Sequence, residues 1–427
     1  MMIFNSSSIA DVKCNGNIIT DAYFNGQSCY SSSLINYKNK VVLDDFASVE
    51  DYSPSTVPTL ITNQTYSHQA DGKALAVTTP VDSTLSIIDK YIQKNMSELD
   101  CVDVWCYIPD ISQVDRIGII LRTTTSSYPQ FEMLYYSYYA DSTKPNLSNG
   151  WNHFKITKSM FKNIDEATWN WVEILSYRVW AIGENKPTVY FSDCSYNEYV
   201  KPAVLIHSDD GYKNNVTVTH ALAKQYGIKW NFWIPHSSII GGNENLLTES
   251  ELDALALDSG TVQLCNHSWT HAEDLHLADP QTQINEFALM RDYMLNRGWG
   301  DGAYYFATPG AGECWDEPMM QRLRDNGCKA ARVNRTGIPI SLPIANKWEL
   351  PNIALGSGST WVDDIKPYLD WCLEGGITPS FYWHDVSPVG VEPVGWQFSG
   401  DLVLQMFQYI HDNGIKTLFM KDLLKMV

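Results

Sequence analysis

The sequence is short of positive charge: 30 lysines and arginines against 49 aspartates and glutamates leave a formal net charge of −19. Nucleic acid and anionic membrane surfaces both reward clustered Lys and Arg, so this balance argues against non-specific binding to either. Long apolar runs are missing too. No stretch approaches the roughly 20 residues that span a bilayer, which argues against membrane insertion. The opening residues, MMIFNSSSIADVK, lack the basic start and apolar stretch of a secretory signal, so synthesis in the cytoplasm is expected. The nine cysteines lack a pattern: their number is odd, and the closest pair, Cys101 and Cys106, suits neither a zinc knuckle nor a thioredoxin motif. Free, partly buried thiols are expected.

What is present divides the chain. At 427 residues it is too long for one ordinary domain, and 44% hydrophobic content is typical of globular proteins. Residues 1–40 carry two similar phrases, Val12-Lys13-Cys14-Asn15-Gly16 and Ala22-Tyr23-Phe24-Asn25-Gly26. Asn-Gly is a strong turn signal between short strands. Residues 41–200 read as all-β, with runs such as Ala74–Thr78, Val102–Ile108, Ile117–Leu121, Phe131–Tyr136 and Thr188–Phe191 between turn-forming clusters. That spacing predicts a jelly-roll-like β-sandwich. The 15 Trp and 24 Tyr would suit sugar-stacking surfaces, but large β-domains also use aromatics as core, and that reading comes first.

Residues 201–427 alternate strands with helices. Strand candidates are Ala203–His207, Lys229–Ile234, Thr261–Cys265, Tyr304–Ala307, Cys328–Val333, Ser380–His384 and Lys416–Phe419. Thr248-Glu249-Ser250-Glu251 is a capping box before a helix stopped by Gly260. Asp279-Pro280 opens another helix that Gly298 closes, and Asp401–Asn413 is a third, ending at Gly414. About seven βα units point to a parallel (β/α) barrel rather than an open sheet, although the repeat alone does not decide between them.

Chemistry-bearing residues follow the strands. They are His207-Ser208-Asp209-Asp210-Gly211, Asn266-His267-Ser268-Trp269-Thr270-His271, Thr308-Pro309-Gly310 and Trp383-His384-Asp385. In a barrel these positions converge on the C-terminal face. His267 and His271 are four apart, so on a helical turn both imidazoles would share a face. One added carboxylate makes a His-His-Asp set suited to a catalytic divalent ion with an open position for water. Such an ion makes bound water acidic and polarises a carbonyl. Of the adjacent aspartates, one could ligate the ion while the other takes a proton.

This region resembles the polysaccharide deacetylase family, also called the NodB-homology domain or carbohydrate esterase family four. The family's T-F-D-D-G motif is matched by Ser208-Asp209-Asp210-Gly211, and its H-S/T-x-x-H motif by His267-Ser268-Trp269-Thr270-His271. Its late L-x-H looks like Tyr382-Trp383-His384, and Gly414-Ile415-Lys416-Thr417-Leu418 is similar to its closing segment. The resemblance implies a distorted (β/α) barrel with Asp210, His267 and His271 as metal ligands, Asp209 as general base and His384 as general acid. It implies Zn²⁺ first, with Co²⁺, Ni²⁺ or Mn²⁺ next, and hydrolysis of N- or O-acetyl groups on a polysaccharide. A backbone N–H near Gly310 or Ala311 would face the oxyanion. Trp269, Trp383 and Tyr212 are candidates to line the substrate, as are Trp361 and Trp396, with core packing as the other reading.

The third motif departs from the family. Its usual form is R-x-P-Y/F-G, whose Arg pairs with the base; here Ala307-Thr308-Pro309-Gly310 places Ala307 at the Arg position and Gly310 at the aromatic one. Arg332 is a candidate to supply the cation, with a structural arginine as the alternative. Asp363 and Asp364 are candidates to orient His384 but also fit the N-cap of a helix.

The middle region resembles carbohydrate-binding-module sandwiches through Leu43-Asp44-Asp45-Phe46, Gly150-Trp151-Asn152-His153-Phe154 and Val189-Tyr190-Phe191-Ser192-Asp193. It would bind glycan or position the catalytic unit, and positioning is favoured. Residues 1–40 look like short segments of bacteriophage tail proteins, which implies a tail-attachment or assembly role, at the bacterial surface, with homo-oligomers expected. Two functions follow: an active deacetylase of a surface polysaccharide, or a glycan-binding or structural tail protein whose barrel has lost catalysis. A metal-dependent amidohydrolase of a small non-sugar amide is a third.

Overall fold

The computed structural model describes residues 41–426 apart from 55–58, 63–64, 69–72, 81–82, 125–128, 138–146, 198, 311–313, 337–338 and 376, and ahead of these the backbone of short strands between residues 13 and 36. Lys13–Cys14 pairs antiparallel with Asn17–Ile18, and Asp21–Phe24 with Gln27–Ser31. Two short hairpins therefore flank the two Asn-Gly pairs, although Asn15-Gly16 and Asn25-Gly26 lie outside the described residues.

Two six-stranded antiparallel sheets follow. One runs 162–164, 130–136, 114–122, 172–181, 85–94, 52–54; the other runs 150–157, 101–108, 188–196, 73–78, 59–62, with 41–44 also paired to 188–196. Period-two alternation sets their faces. In Cys101–Ile108, Val102, Val104, Cys106 and Ile108 enter the shared core, whereas Asp103, Trp105 and Tyr107 fall on the other face. The seven cysteines whose side chains are described are buried and form no disulfide with one another.

A buried carboxylate ties the sheets together. Asp44, fully buried on the strand Val41–Asp44 of one sheet, accepts hydrogen bonds from three residues of the other: Tyr52 Oη (2.8 Å), Tyr177 Oη (2.9 Å) and Lys90 Nζ (2.7 Å). A desolvated charge survives only when paired and hydrogen-bonded, and these three donors meet that requirement.

The C-terminal part is a closed parallel barrel. Its strands are β1 (Ala203–Asp209), β2 (Trp230–Ile234), β3 (Val262–Asn266), β4 (Tyr305–Ala307), β5 (Ala330–Thr336), β6 (Leu350–Ala354) and β7 (Ser380–Trp383), and β1 pairs with both β7 and β2 to close the ring. A further strand, β8 (Lys416–Leu418), pairs with the first half of β1, on the edge whose second half meets β2. The seven-strand ring thus contains β6, absent from the sequence-based set, and leaves β8 as an addition. β6 escaped notice because Leu350-Pro351-Asn352-Ile353-Ala354 has a proline and only a brief apolar pattern.

Helix starts follow local chemistry. Thr248 and Glu251 form the capping box of Glu249–Ala256, although that helix ends at Leu257, before Gly260. Asp279 caps Pro280–Asn296, and Gly298 follows its end at φ 74°. Helix Gly400–Asp412 is followed by Gly414 at φ 63°.

Asp44→Ala would strand Lys90 in the core. A loss of about 3–5 kcal/mol is expected for breaking a buried pair, towards the lower end because Asp45 and Asp51 stay within 3.4 and 3.6 Å of Lys90. Denaturant unfolding of the variant beside the parent protein measures it, and an unchanged midpoint would show the staple to be dispensable.

Candidate metal centre and active site

β1 is buried along its whole length and delivers Asp209 to the C-terminal end of the barrel. Asp210 and Gly211 then turn sharply, at φ 69° and 83°. The turn points the adjacent carboxylates in different directions. Asp209, 3% exposed, accepts a hydrogen bond from Arg332 Nη2 at 2.6 Å, while its Oδ1 is buried without a partner. Asp210 Oδ1 instead lies 3.3 Å from His271 Nε2 and 3.6 Å from His267 Nε2, and its Oδ2 lies 3.9 Å from His384 Nε2.

These separations fit a cation. Donors bound at zinc-like distances in a tetrahedron lie about 3.4 Å apart. Among the described residues, Asp210, His267 and His271 are the group of three potential ligands whose donor atoms all lie within 4.8 Å of one another. Asp210 Oδ1 is buried yet makes no properly directed hydrogen bond, which leaves its lone pairs for a metal. His267 Nδ1 faces the Ala307 carbonyl at 3.0 Å and must carry the proton, so Nε2 presents its lone pair to the cluster.

Electrostatics match that role. Burial alone would raise Asp210, but the adjacent His271 and the charges of His267 and His384 outweigh it and hold the carboxyl at about 2. His267 is driven down to about 4, chiefly by burial, and so is neutral at ordinary pH. His271 is also pushed down by burial, but Asp210 beside it, with Asp209 and Glu273, raises it overall. Burial pushes Tyr212 up to about 12, helped by Asp210 and Asp385, so it stays a neutral phenol.

The helical turn expected for His267 and His271 is replaced by a loop with Ser268 at φ 73° and His271 at φ 62°. A left-handed backbone at non-glycine residues needs support. Ser268 Oγ accepts the His271 N–H at 2.9 Å. Glu286, on the helix Pro280–Asn296 and 5% exposed, accepts the N–H groups of Trp269 (3.0 Å) and Thr270 (2.8 Å) and the Thr270 hydroxyl (2.7 Å). Sequence reading missed Glu286, because nothing local links a helix carboxylate to a loop some 16 residues earlier.

The remaining candidates are distributed as follows. His384 follows β7 with a partly exposed side chain, and its carbonyl accepts from Asn215 Nδ2 at 2.6 Å. Trp383 is fully buried, and its Nε1 donates to Asn215 Oδ1 at 3.0 Å, so its ring is core and cannot line the substrate. Trp269, partly buried, stacks one face on His236 at 3.5 Å and meets Tyr293 at a steep angle. Trp361 packs on Tyr409. Trp396, 59% exposed, lies 5.4 Å from the His384 ring and 5.9 Å from half-buried Tyr212, and forms an aromatic wall beside the cluster. Asp385 sits next to it, held by Asn214 (3.1 Å) and Gln397 (2.7 Å).

Gly310 has φ 86°, and its carbonyl is held by Asn334 Nδ2; Ala311 lies outside the described residues. Asp363 and Asp364 occupy the first turn of the segment capped by Thr360 and hydrogen-bond Thr360. They are capping residues, with no contact to His384.

Residues 197–331 match the family model of polysaccharide deacetylase. The structure is similar to that of a Streptococcus pyogenes deacetylase in complex with acetate, at 19% identity over 35% of this chain and 63% of that one, TM-score 0.31. This chain therefore spans just under two thirds of the streptococcal protein's length. It is also similar to the Xyl-CE4 domain of a multidomain xylanase from the hindgut metagenome of Trinervitermes trinervoides (13% identity, 53% of this chain and 90% of that one, TM-score 0.36). A family 11 carbohydrate-binding module from Clostridium thermocellum is similar at 9% identity over 37% of this chain and 94% of that one, TM-score 0.27. No curated protein matches the chain.

Glu286→Ala would release two N–H groups and free the loop between the histidines. Metal affinity, measured by competition with a chromogenic chelator, should drop about 10–100-fold, as for other partners that orient ligands. An unchanged affinity would show that the loop holds itself.

Proposed function

We propose that this protein is a metal-dependent deacetylase that removes N- or O-acetyl groups from a polysaccharide. One observation carries the reading: a buried aspartate with one unpartnered oxygen, Asp209, adjoins a cluster of three potential ligands that a partly exposed histidine, His384, also approaches. The match of residues 197–331 to the polysaccharide deacetylase model supports it.

Asp210, His267 and His271 would hold the ion, and their mixed N/O donor set favours zinc, with cobalt, nickel or manganese as substitutes. When bound, the ion supplies Lewis acidity towards the acyl carbonyl and towards water. Asp209 acts as base. Arg332 anchors its Oδ2, and its unpartnered Oδ1 takes the proton from the water that attacks the acetyl carbon. The resemblance would assign a backbone N–H near Gly310 to the oxygen that gains charge. His384 gives a proton to the departing sugar nitrogen or oxygen as the C–N or C–O bond breaks, which leaves acetate and a free amine or hydroxyl. Trp396 and Tyr212 present aromatic surface next to His384, where the sugar carrying the acetyl group would stack.

An inactive tail scaffold is the alternative, and the departures at Ala307 and Gly310 are its basis. Arg332 beside Asp209 weakens that case. For setting, a virion-associated protein acting on a bacterial surface glycan remains our proposal, resting on the resemblance of residues 1–40 to segments of bacteriophage tail proteins.

Asp209→Asn should lower acetate release from acetylated glycans by about 10²–10⁴-fold while metal content, read by elemental analysis, stays at the parent level. Parent-level turnover in that variant would refute the assigned base. Trp396→Ala should raise KM for polymer several-fold and leave kcat for a small acetyl ester near its starting value. A kcat loss on the small ester with KM unchanged would remove Trp396 from the sugar site.

A further inference from the structure

A cavity of about 170 Å³ opens between the sandwich and the barrel, far from the chemistry described above. Its lining includes Leu350 and Pro351, which begin β6, so it sits at the N-terminal end of the barrel. Asp210, His267 and His271 follow the C-terminal ends of β1 and β3, at the opposite end. On the sandwich side the wall is Gly150–Thr157, the last strand of its sheet, so the site uses an edge and not a sheet face.

Two tryptophans from different parts of the chain face this space, and both are held in place. Trp151, on the edge strand, meets Tyr107 (5.4 Å, 75°) and Trp105 (6.1 Å, 75°) edge-on. Trp371, on the helix Lys366–Leu373, meets Tyr368 edge-on at 5.0 Å. Asn346 and Glu349 line the same space. Asn346 Oδ1 accepts the Trp348 N–H at 3.0 Å, which orients the amide and leaves Nδ2 to donate.

The walls are clamped. His153 Nδ1 faces the Pro343 carbonyl at 2.7 Å and its Nε2 faces Asp103 Oδ2 at 2.9 Å, while Lys155 Nζ bonds the same carboxylate at 2.5 Å. The Lys155 N–H donates to Ser341 Oγ at 3.1 Å. A cleft whose walls are already joined loses little entropy when a ligand enters.

We propose that this cleft is a second saccharide-binding site, built jointly by the sandwich edge and the barrel. A sugar ring presents apolar C–H faces and a rim of hydroxyls. Two fixed indoles suit the faces, and the oriented Asn346 amide suits the rim. A wholly apolar ligand would leave the Asn346 Nδ2 donor desolvated. An anionic ligand would meet Glu349, while Lys155 is committed to Asp103. The volume admits a single ring, below the roughly 300–1,000 Å³ of drug-sized pockets. A polymer gripped there would stay near the opposite end of the barrel between catalytic events, raising its local concentration. The inference does not depend on the reaction proposed at the metal centre.

Calorimetric titration of the full chain with the pentasaccharides of N-acetylglucosamine, xylose and β-1,4-glucose tests it. At least one should bind, and Trp371→Ala and Trp151→Ala should each weaken that binding about thirty-fold, as loss of a hot-spot aromatic does. Asn346→Ala, a milder change, should weaken it several-fold with an unaltered melting curve, which guards against misfolding of the tryptophan variants. Trp396→Ala should leave this binding intact. No binding of any of the three sugars, binding unaffected by Trp371→Ala and Asn346→Ala, or binding lost through Trp396→Ala would each overturn the proposal. None of these outcomes requires turnover, so failure of the deacetylase reading would register separately.

Discussion

The active end of the barrel is organised by one ion pair across its interior, Arg332 to Asp209. Both are almost completely buried, at 2% and 3% exposure. Neither charge would be tolerated alone at that depth. The two residues come from β1 and β5, which are not neighbours in the sheet; closure of the ring brings them within 2.6 Å. The guanidinium also lies 5.2 Å from the Trp233 ring of β2 and 4.6 Å from the Tyr382 ring of β7. Four strands therefore contribute to a single layer, and its geometry leaves one oxygen of Asp209 unengaged and facing the site.

That arrangement bears on the segment Ala307-Thr308-Pro309-Gly310. Ala307, on β4, brings no side-chain charge to Asp209, and the cation beside that carboxylate comes from the next strand. Ala307 keeps a role through its backbone, because its carbonyl sets the tautomer of His267. Arg332 supplies the side-chain contact to Asp209, and Ala307 a main-chain contact that a motif pattern does not display.

The same principle, a buried charge held by an opposite charge or by directed donors, recurs outside the barrel. Asp44 staples the two sheets, and Asp103 gathers His153 and Lys155 where the sandwich meets the loop at Pro343. Hydrophobic burial supplies most of the cohesion within each part. These directional contacts set how the sheets face one another and hold the sandwich edge against the barrel.

Some of this was legible in the sequence because it is local. Alternation in Val102–Ile108 marks a strand with one buried face, Thr248 with Glu251 marks a helix start, and a histidine or aspartate just past a strand marks the rim of a barrel. Ligand types could be read because Asp210, His267 and His271 keep their chemistry wherever they stand. Other features arise from contacts between distant segments. The loop carrying His271 is left-handed because Ser268 and Glu286 hold it so, against a spacing that looked helical. β6 becomes a strand because the ring needs it for closure. Trp383 is core while Trp396 is exposed, and both are tryptophans near one histidine in sequence. Residue type is a property of the chain, but burial, partner and direction are properties of what surrounds it, and only the folded barrel supplies those surroundings.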